Sequence, residues 1–208
     1  MKPAVVLLSG GLDSATVLAL AVQESSSVLA LSFRYGQRHS VELECAAQQA
    51  ARWGVQHRVI DIPTIAASAL TDGDAAGSAG IPATYVPARN TLFLAFALSV
   101  AEPLGADIWI GVNALDYSGY PDCRPEFVRA FQVLADLATR AGIEGHGPQV
   151  QAPLQHMTKD AIIRLGLRLG VDYAATSSCY FPVGRQACGQ CDSCHIRLAA
   201  FAVVAVGG

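Results

Sequence analysis

The apolar run Ala4-Val5-Val6-Leu7-Leu8 leads directly into Ser9-Gly10-Gly11-Leu12-Asp13-Ser14 and then into a helical pattern, and this junction constrains the chain more than any other stretch. A strand that turns through glycines into a helix leaves the first N–H groups of that helix without intrahelical partners. Together with the positive end of the helix dipole they point at one spot beyond the strand, and anions bind there. Gly10 and Gly11 permit a close approach that a Cβ would block, Ser9 and Ser14 add hydroxyls, and Asp13 can hold Mg²⁺ or cap the helix. An ordinary glycine turn is the plain alternative. The chain has no Gly-Lys pair and no Gly-x-Gly-x-x-Gly, so the junction is neither a mononucleotide P-loop nor a dinucleotide fingerprint.

Apolar runs and helical patterns alternate after this start: 4–8 then 14–23, 27–33 then 40–53, 55–61, and later 90–102 then 107–112. Such alternation predicts an α/β fold, a Rossmann-like open parallel sheet with helices on both faces. In the second helix Val41, Cys45, Gln48 and Arg52 share one face, Leu43, Ala46, Ala47 and Ala50 another, and Gly54 stops it after Trp53. The Ala-, Gly-, Ser- and Asp-rich stretch 62–88 is too long for an ordinary connection and is expected as a surface loop or lid. A second long helix is expected over 125–141, then a turn-rich 142–148, a short strand at 149–152 and a helix at 159–169. At roughly 150 residues per domain, 208 residues suggest one α/β unit over 1–173 with a small cysteine-bearing tail over 174–208.

Composition excludes several classes. With 52% hydrophobic and 15% charged residues the chain is neither disordered nor a charge-laced coiled coil. A net charge of -3 argues against coating nucleic acid by phosphate neutralisation. No apolar run is long enough to span a bilayer, and the run at 4–8 is too short for a signal-peptide core, which leads us to expect a cytoplasmic protein.

Four of the six cysteines cluster as Cys179-x₈-Cys188-x₂-Cys191-x₂-Cys194, while Cys45 and Cys123 stand alone, a distribution unlike a disulfide framework. Four thiolates complete a tetrahedral Zn²⁺ site with no open position, the mark of a structural metal. An iron-sulfur cluster is the runner-up, because Cys-x₂-Cys-x₂-Cys also opens a bacterial ferredoxin run; here, however, His195-Ile196-Arg197 follows where that run has its next cysteine and proline. Bound zinc would bring the net charge nearer to about -5.

In an open parallel sheet ligands lie beyond the carboxyl ends of the strands. The polar residues expected there are Ser9 to Ser14, then Arg34-Tyr35-Gly36-Gln37-Arg38-His39, then the segment from Asn113 to Arg124, and finally His156 and Lys159. The loop Asp116-Tyr117-Ser118-Gly119-Tyr120-Pro121-Asp122-Cys123-Arg124-Pro125-Glu126 can stack a planar ring and read its edges with charges; alternatively, Asp122 simply caps the helix starting at Pro125. Arg89 suits a phosphate or an exposed ion pair. Lys159 suits a helix start or the neutralisation of developing charge.

The Ser9-to-Ser14 junction resembles the PP-loop of ATP pyrophosphatases, which grips the leaving pyrophosphate while AMP is transferred to a substrate oxygen. With Phe33-Arg34-Tyr35-Gly36-Gln37-Arg38-His39, Val86-Pro87-Ala88-Arg89-Asn90, the 116–126 loop, Thr158-Lys159 and the four cysteines, the whole chain resembles the QueC family of 7-cyano-7-deazaguanine synthases. That resemblance implies conversion of 7-carboxy-7-deazaguanine, ATP and ammonia to the nitrile through an adenylated acid and an adenylated amide, with AMP and pyrophosphate released, on the route to queuosine. It implies Ser9, Gly10, Gly11, Leu12, Asp13 and Ser14 on ATP and Mg²⁺; Tyr117, Asp122, Arg124 and Glu126 on the deazaguanine; and Lys159, Arg38 and Arg89 in charge stabilisation. Small molecules would then be the partners, without nucleic acid or membrane, and a homodimer is compatible with it. The chain departs from the family in carrying Ala200, rather than Gly, before Phe201, which bears on carboxyl-terminal and dimer contacts. The competing functions are a relative that joins the deazaguanine to a protein amine, a PP-loop tRNA-modifying enzyme, and a zinc-ribbon binding module.

Overall fold

In a computed structural model of the chain, residues 1–37, 41–63, 68, 70–71, 80–113 and 119–206 are described. The elements in chain order are β1 (Ala4–Leu7), α1 (Leu12–Glu24), β2 (Val28–Arg34), α2 (Val41–Arg52), β3 (Gln56–Asp61), α3 (Arg89–Leu104), β4 (Asp107–Trp109), α4 (Pro125–Ala138), α5 (Arg140–Ile143), β5 (Val150–Gln151), α6 (Lys159–Leu169) and α7 (Asp192–Val206). Short 3-10 turns lie at Pro121–Cys123 and Tyr173–Ala175. The five strands form one parallel sheet in the order β3-β2-β1-β4-β5, with Ala4 opposite both Val28 and Asp107. The chain steps from β1 outward on one side and then returns to the other side at β4, so the switch point lies at the carboxyl end of β1.

Alternation along β1 builds two cores. Ala4, Val6 and Leu8 face a layer that includes Ala15, Leu18, Ala46, Ile162, Ile163 and Ala200, while Val5 and Leu7 face Leu94, Ala97, Leu98, Phe131 and Ala135. The sheet is therefore covered by α1, α2, α6 and α7 on one face and by α3 and α4 on the other. Strands buried on both faces read as continuous apolar runs, which is why β1 and β2 were visible as blocks rather than as alternating patterns.

Three details differ from the expectations. The helix expected over 125–141 breaks at Thr139, whose extended backbone ends α4 and whose hydroxyl oxygen accepts from Gly142 N at 3.0 Å to start α5. α3 continues through Pro103 to a left-handed cap at Gly105, whose N–H reaches the Ala101 and Glu102 carbonyls. The tail contains a helix, α7, that places Ala200 in the core with Phe201 and Val204 against it. Of the 62–88 connection only part lies within the described residues, and there Ser68 and Thr71 are buried. Among the described residues no helix is long and apolar enough to cross a membrane.

α6 is fastened to α1 by a buried polar contact. The Tyr173 hydroxyl lies 2.7 Å from Thr16 Oγ1 and donates to the Ile162 carbonyl at 3.1 Å, and Thr16 Oγ1 donates to the Leu12 carbonyl at 2.9 Å. This ties the helix that begins at Lys159 to the helix that begins at the glycine turn. Tyr173→Phe is expected to lower unfolding free energy by about 1–2 kcal/mol, measured by urea denaturation, because buried oxygen atoms lose a hydroxyl partner.

Candidate active site

The turn from β1 to α1 is held in place by its neighbours. Gly10 has φ 88°, and a Cβ there would overlap the Glu42 carbonyl oxygen and stand 2.8 Å from Ala46 N, so only glycine lets the loop lie against the first turn of α2. Gly11 occupies the N-cap of α1 without a side-chain cap. Ser14 Oγ closes the turn from inside, accepting from Ser9 N at 3.2 Å, lying 3.0 Å from Ser9 Oγ and donating to the Gly11 carbonyl at 3.1 Å. On the other side Gly111, just beyond β4, packs so closely that a Cβ would sit 3.1 Å from Ser14 N. Nothing in the sequence singled out Gly111, which the apolar pattern placed inside the strand expected over 107–112; β4 ends at Trp109.

Lys159, the first residue of α6, donates to both carboxylate oxygens of Asp13 at 3.0 and 2.9 Å. The pair is largely withdrawn from solvent, with side-chain exposures of 11% and 26%, so its attraction is screened less than that of a surface ion pair. The sequence placed both residues at strand ends; the tertiary structure joins them.

The wall opposite is built at the start of α3. Ala88, at φ 53°, is the one non-glycine residue with positive φ among the described residues, and its left-handed backbone leads straight into Arg89. The Arg89 guanidinium donates to Tyr35 Oη at 3.3 Å and lies 5.9 and 6.0 Å from the Tyr35 and Phe93 ring centres. Asp122 is buried, but it does not cap the helix starting at Pro125: its carboxylate accepts from Asn90 N at 3.0 Å, while Asn90 Nδ2 donates to the Asp122 carbonyl at 2.9 Å. It thus caps α3 and holds the Arg89 turn, because the 3-10 turn Pro121–Cys123 packs on α3. Arg124 and Glu126 are exposed, and Glu126 pairs with Arg129 at 3.1 Å on the surface of α4. Arg38 and Tyr117 lie outside the described residues.

Between these walls is a cavity of about 270 Å³. Ser9, Gly11, Leu12, Asp13 and Ser14 line one end; Phe33, Tyr35, Arg89, Asn90 and Phe93 line another; Asn113, Tyr120, Cys123, Ser177, Ser178 and Tyr180 complete it. Backbone amides at the amino end of a helix, the Arg89 guanidinium and several aromatic rings therefore meet in one space, with the Lys159–Asp13 pair at its edge through Asp13, an arrangement that suits a polyphosphate beside a planar ring. Glu42, which the sequence reading did not single out, also lines it. Burial pushes its carboxyl up to about 7 against the opposing pull of Arg89. Burial likewise pushes the Cys123 thiol up to about 12.

The four tail cysteines converge as their spacing requires. Their sulfur atoms all lie within 4.8 Å of one another, and Cys188 and Cys194 Sγ are 4.0 Å apart. Tetrahedral ligation at a metal–sulfur distance of about 2.3 Å demands sulfurs about 3.8 Å apart, so the cluster fits a metal with little movement. Cys179 Sγ accepts from Cys188 N at 3.2 Å, and backbone N–H groups of Gln190 and Cys191 pull the Cys188 thiol down to about 6, toward the thiolate that ligation needs. The same segment is tied to α2 by Arg185 and Glu44 at 2.6 Å.

Because the Glu42 carboxyl is held protonated in the fold to about pH 7 but ionises near its ordinary value when unfolded, its contribution to stability is present at low pH and lost as pH rises through 7. Glu42→Gln mimics the protonated form. It is expected to match the parent in thermal unfolding at pH 4 and to exceed it at pH 8.

Comparison with known proteins agrees with this geometry. The family model described as "Queuosine biosynthesis protein QueC" matches residues 3–205. A protein of Xanthomonas campestris pv. campestris (strain B100) named 7-cyano-7-deazaguanine synthase is 60% identical over 210 residues, covering 97% of this chain and 94% of that one. One of the same name from Xanthomonas axonopodis pv. citri (strain 306) is 59% identical over the same shares. Among solved structures, NMN synthetase from Francisella tularensis matches with TM-score 0.50 and 17% identity over 92% of this chain and 70% of that one. The U34-tRNA thiolase NcsA from Methanococcus maripaludis, solved with its [4Fe-4S] cluster, matches with TM-score 0.51 and 14% identity over 99% of this chain and 73% of that one. These two likenesses are of fold. With the PP-loop junction, the cavity and the four-cysteine tail in place, and with a family match across almost its full length, the chain belongs to the QueC family of queuosine biosynthesis enzymes.

Proposed function

We propose that this chain makes 7-cyano-7-deazaguanine from 7-carboxy-7-deazaguanine, ATP and ammonia. The observation that carries this reading is the meeting, in one cavity, of the amino end of α1, Arg89 and aromatic side chains in a QueC family chain, with the Lys159–Asp13 pair at that same helix end. A carboxylate is a poor electrophile. Transfer of AMP to its oxygen supplies a leaving group and releases pyrophosphate; ammonia displaces AMP to give the amide; adenylation of the amide oxygen then permits loss of AMP and a proton to leave the nitrile. Both activations use the same loop.

In this reading the backbone N–H groups around Ser9 to Ser14 receive the pyrophosphate, Lys159 offsets the charge that develops as it leaves, and Arg89 offsets charge at the facing end. Asp13 is the carboxylate that would hold Mg²⁺, whose role is to neutralise phosphate charge. Tyr117 is assigned to the deazaguanine and Arg38 to charge stabilisation, whereas Arg124 and Glu126, exposed at the start of α4, are not among the residues that line the cavity. The buried, α3-capping position of Asp122 makes it the residue that orients this wall. Four thiolates leave a bound metal no open position, which supports structural zinc rather than catalysis, over a cysteine-bearing segment at 174–208 appended to a nucleotide-binding unit at 1–173. The net negative charge supports a free base rather than tRNA as substrate, in a cytoplasmic enzyme; a homodimer remains compatible with it.

Incubation with 7-carboxy-7-deazaguanine, ATP and ammonium, followed by mass spectrometry, is expected to show the amide and then the nitrile. Absence of both from fully metallated protein refutes the assignment, and transfer of the deazaguanine only to a protein amine favours the conjugating relative. Lys159→Ala is expected to slow pyrophosphate release by on the order of 100-fold, and an unchanged rate removes Lys159 from the mechanism. Elemental analysis is expected to give one zinc per chain; iron with acid-labile sulfide would identify a cluster instead.

A further inference from the structure

The cysteine-bearing segment does more than follow α6: it crosses the glycine turn. Ser177 N donates to the Gly10 carbonyl at 3.0 Å, and Ser178 Oγ accepts from Leu12 N at 3.4 Å, supplying the cap that Gly11 cannot. The next residue is the metal ligand candidate Cys179, and Ser178 faces the cavity. Arg197, three residues after Cys194 on α7, grips the segment: it donates to the Tyr173 carbonyl at 2.7 Å, Thr176 Oγ1 at 3.0 Å and Ser178 Oγ at 3.4 Å, with its guanidinium 5.3 Å from the Phe201 ring centre.

A serine hydroxyl has two acceptor lone pairs and one proton to donate. Leu12 N and Arg197 Nη1 use the lone pairs, and among the described residues no acceptor takes the proton. A hydroxyl so held, at the amino end of α1 and beside a guanidinium, is set up to donate to an anion in the cavity. We propose that Ser178 is a phosphate-contacting residue of the nucleotide site, delivered by the cysteine-bearing segment and held by Arg197 as a positioning residue, so that occupancy of the four-cysteine centre governs pyrophosphate affinity. This rests on the reading of the glycine turn as the ATP site.

Calorimetric titration of the full-length, metallated protein with ATP, inorganic pyrophosphate and AMP tests it. Ser178→Ala is expected to weaken pyrophosphate and ATP binding about tenfold with AMP binding and metal content unchanged, and Ser178→Thr, which keeps the hydroxyl, is expected to restore binding to within about twofold. Should the alanine variant lose its metal, Ser178→Cys, similar in size but a weak donor, reads the same loss. Arg197→Gln is expected to weaken pyrophosphate binding, with little further loss when combined with Ser178→Ala, and stripping the metal with a chelator is expected to weaken it in the parent more than in Ser178→Ala. Parent-like pyrophosphate binding by Ser178→Ala overturns the role of Ser178, and full additivity of the two substitutions overturns that of Arg197. A parent protein that binds neither ATP nor pyrophosphate overturns the nucleotide-site reading itself.

Discussion

Gly10 lies so close to the first turn of α2 that a single methyl group would overlap the Glu42 carbonyl, and the rest of the site is organised around that approach. The loop is packed from three directions, by α2 behind, by Gly111 from the end of β4, and by the Ser177-Ser178 segment above. Each neighbour comes from a different part of the chain, and each is placed by the central position of β1 in the sheet. A loop clamped in this way presents its amides without reorganisation when an anion arrives, which is the condition for electrostatic stabilisation to be effective.

Charge is used sparingly and mostly in two ways. On the surface, pairs such as Arg34–Asp61, Arg129–Glu126 and Arg140–Glu144 are highly exposed, and such pairs contribute little to stability. At the cavity the pairing is withdrawn from solvent: Lys159 with Asp13, Arg89 with Tyr35 and within reach of Glu42 and Asp122. The low overall fraction of charged residues is thus compatible with a strongly polar site.

The parallel sheet, the glycine turn and the metal-ligand spacing were legible because each is local: a run of apolar residues, a six-residue motif, three cysteines within seven positions. Lys159 and Arg89 were legible as strand-end and loop residues, yet not their partners. Asp122 was read as a substrate residue or, alternatively, as the cap of the helix next to it in sequence; it caps α3, since a carboxylate satisfies whichever orphan N–H the fold brings to it. Glu42 looked like an ordinary polar residue in the first turn of a helix; its raised pKa comes from what covers it. α7 gave no amphipathic signal because apolar residues occupy its exposed side as well, with Leu198 60% and Val203 54% exposed.

The sequence by itself determined which backbone can turn through residues 9–11, where anions can dock, and that four thiols can close on one ion. These are consequences of missing side chains and fixed spacing, properties a chain carries before it folds. Only the tertiary structure decided which groups share the cavity, that Lys159 meets Asp13 across 146 residues of chain, and that the cysteine segment reaches back to cap α1 through Ser178. Those pairings depend on strand order and helix packing, which bring together residues whose separation in sequence carries no trace of their contact.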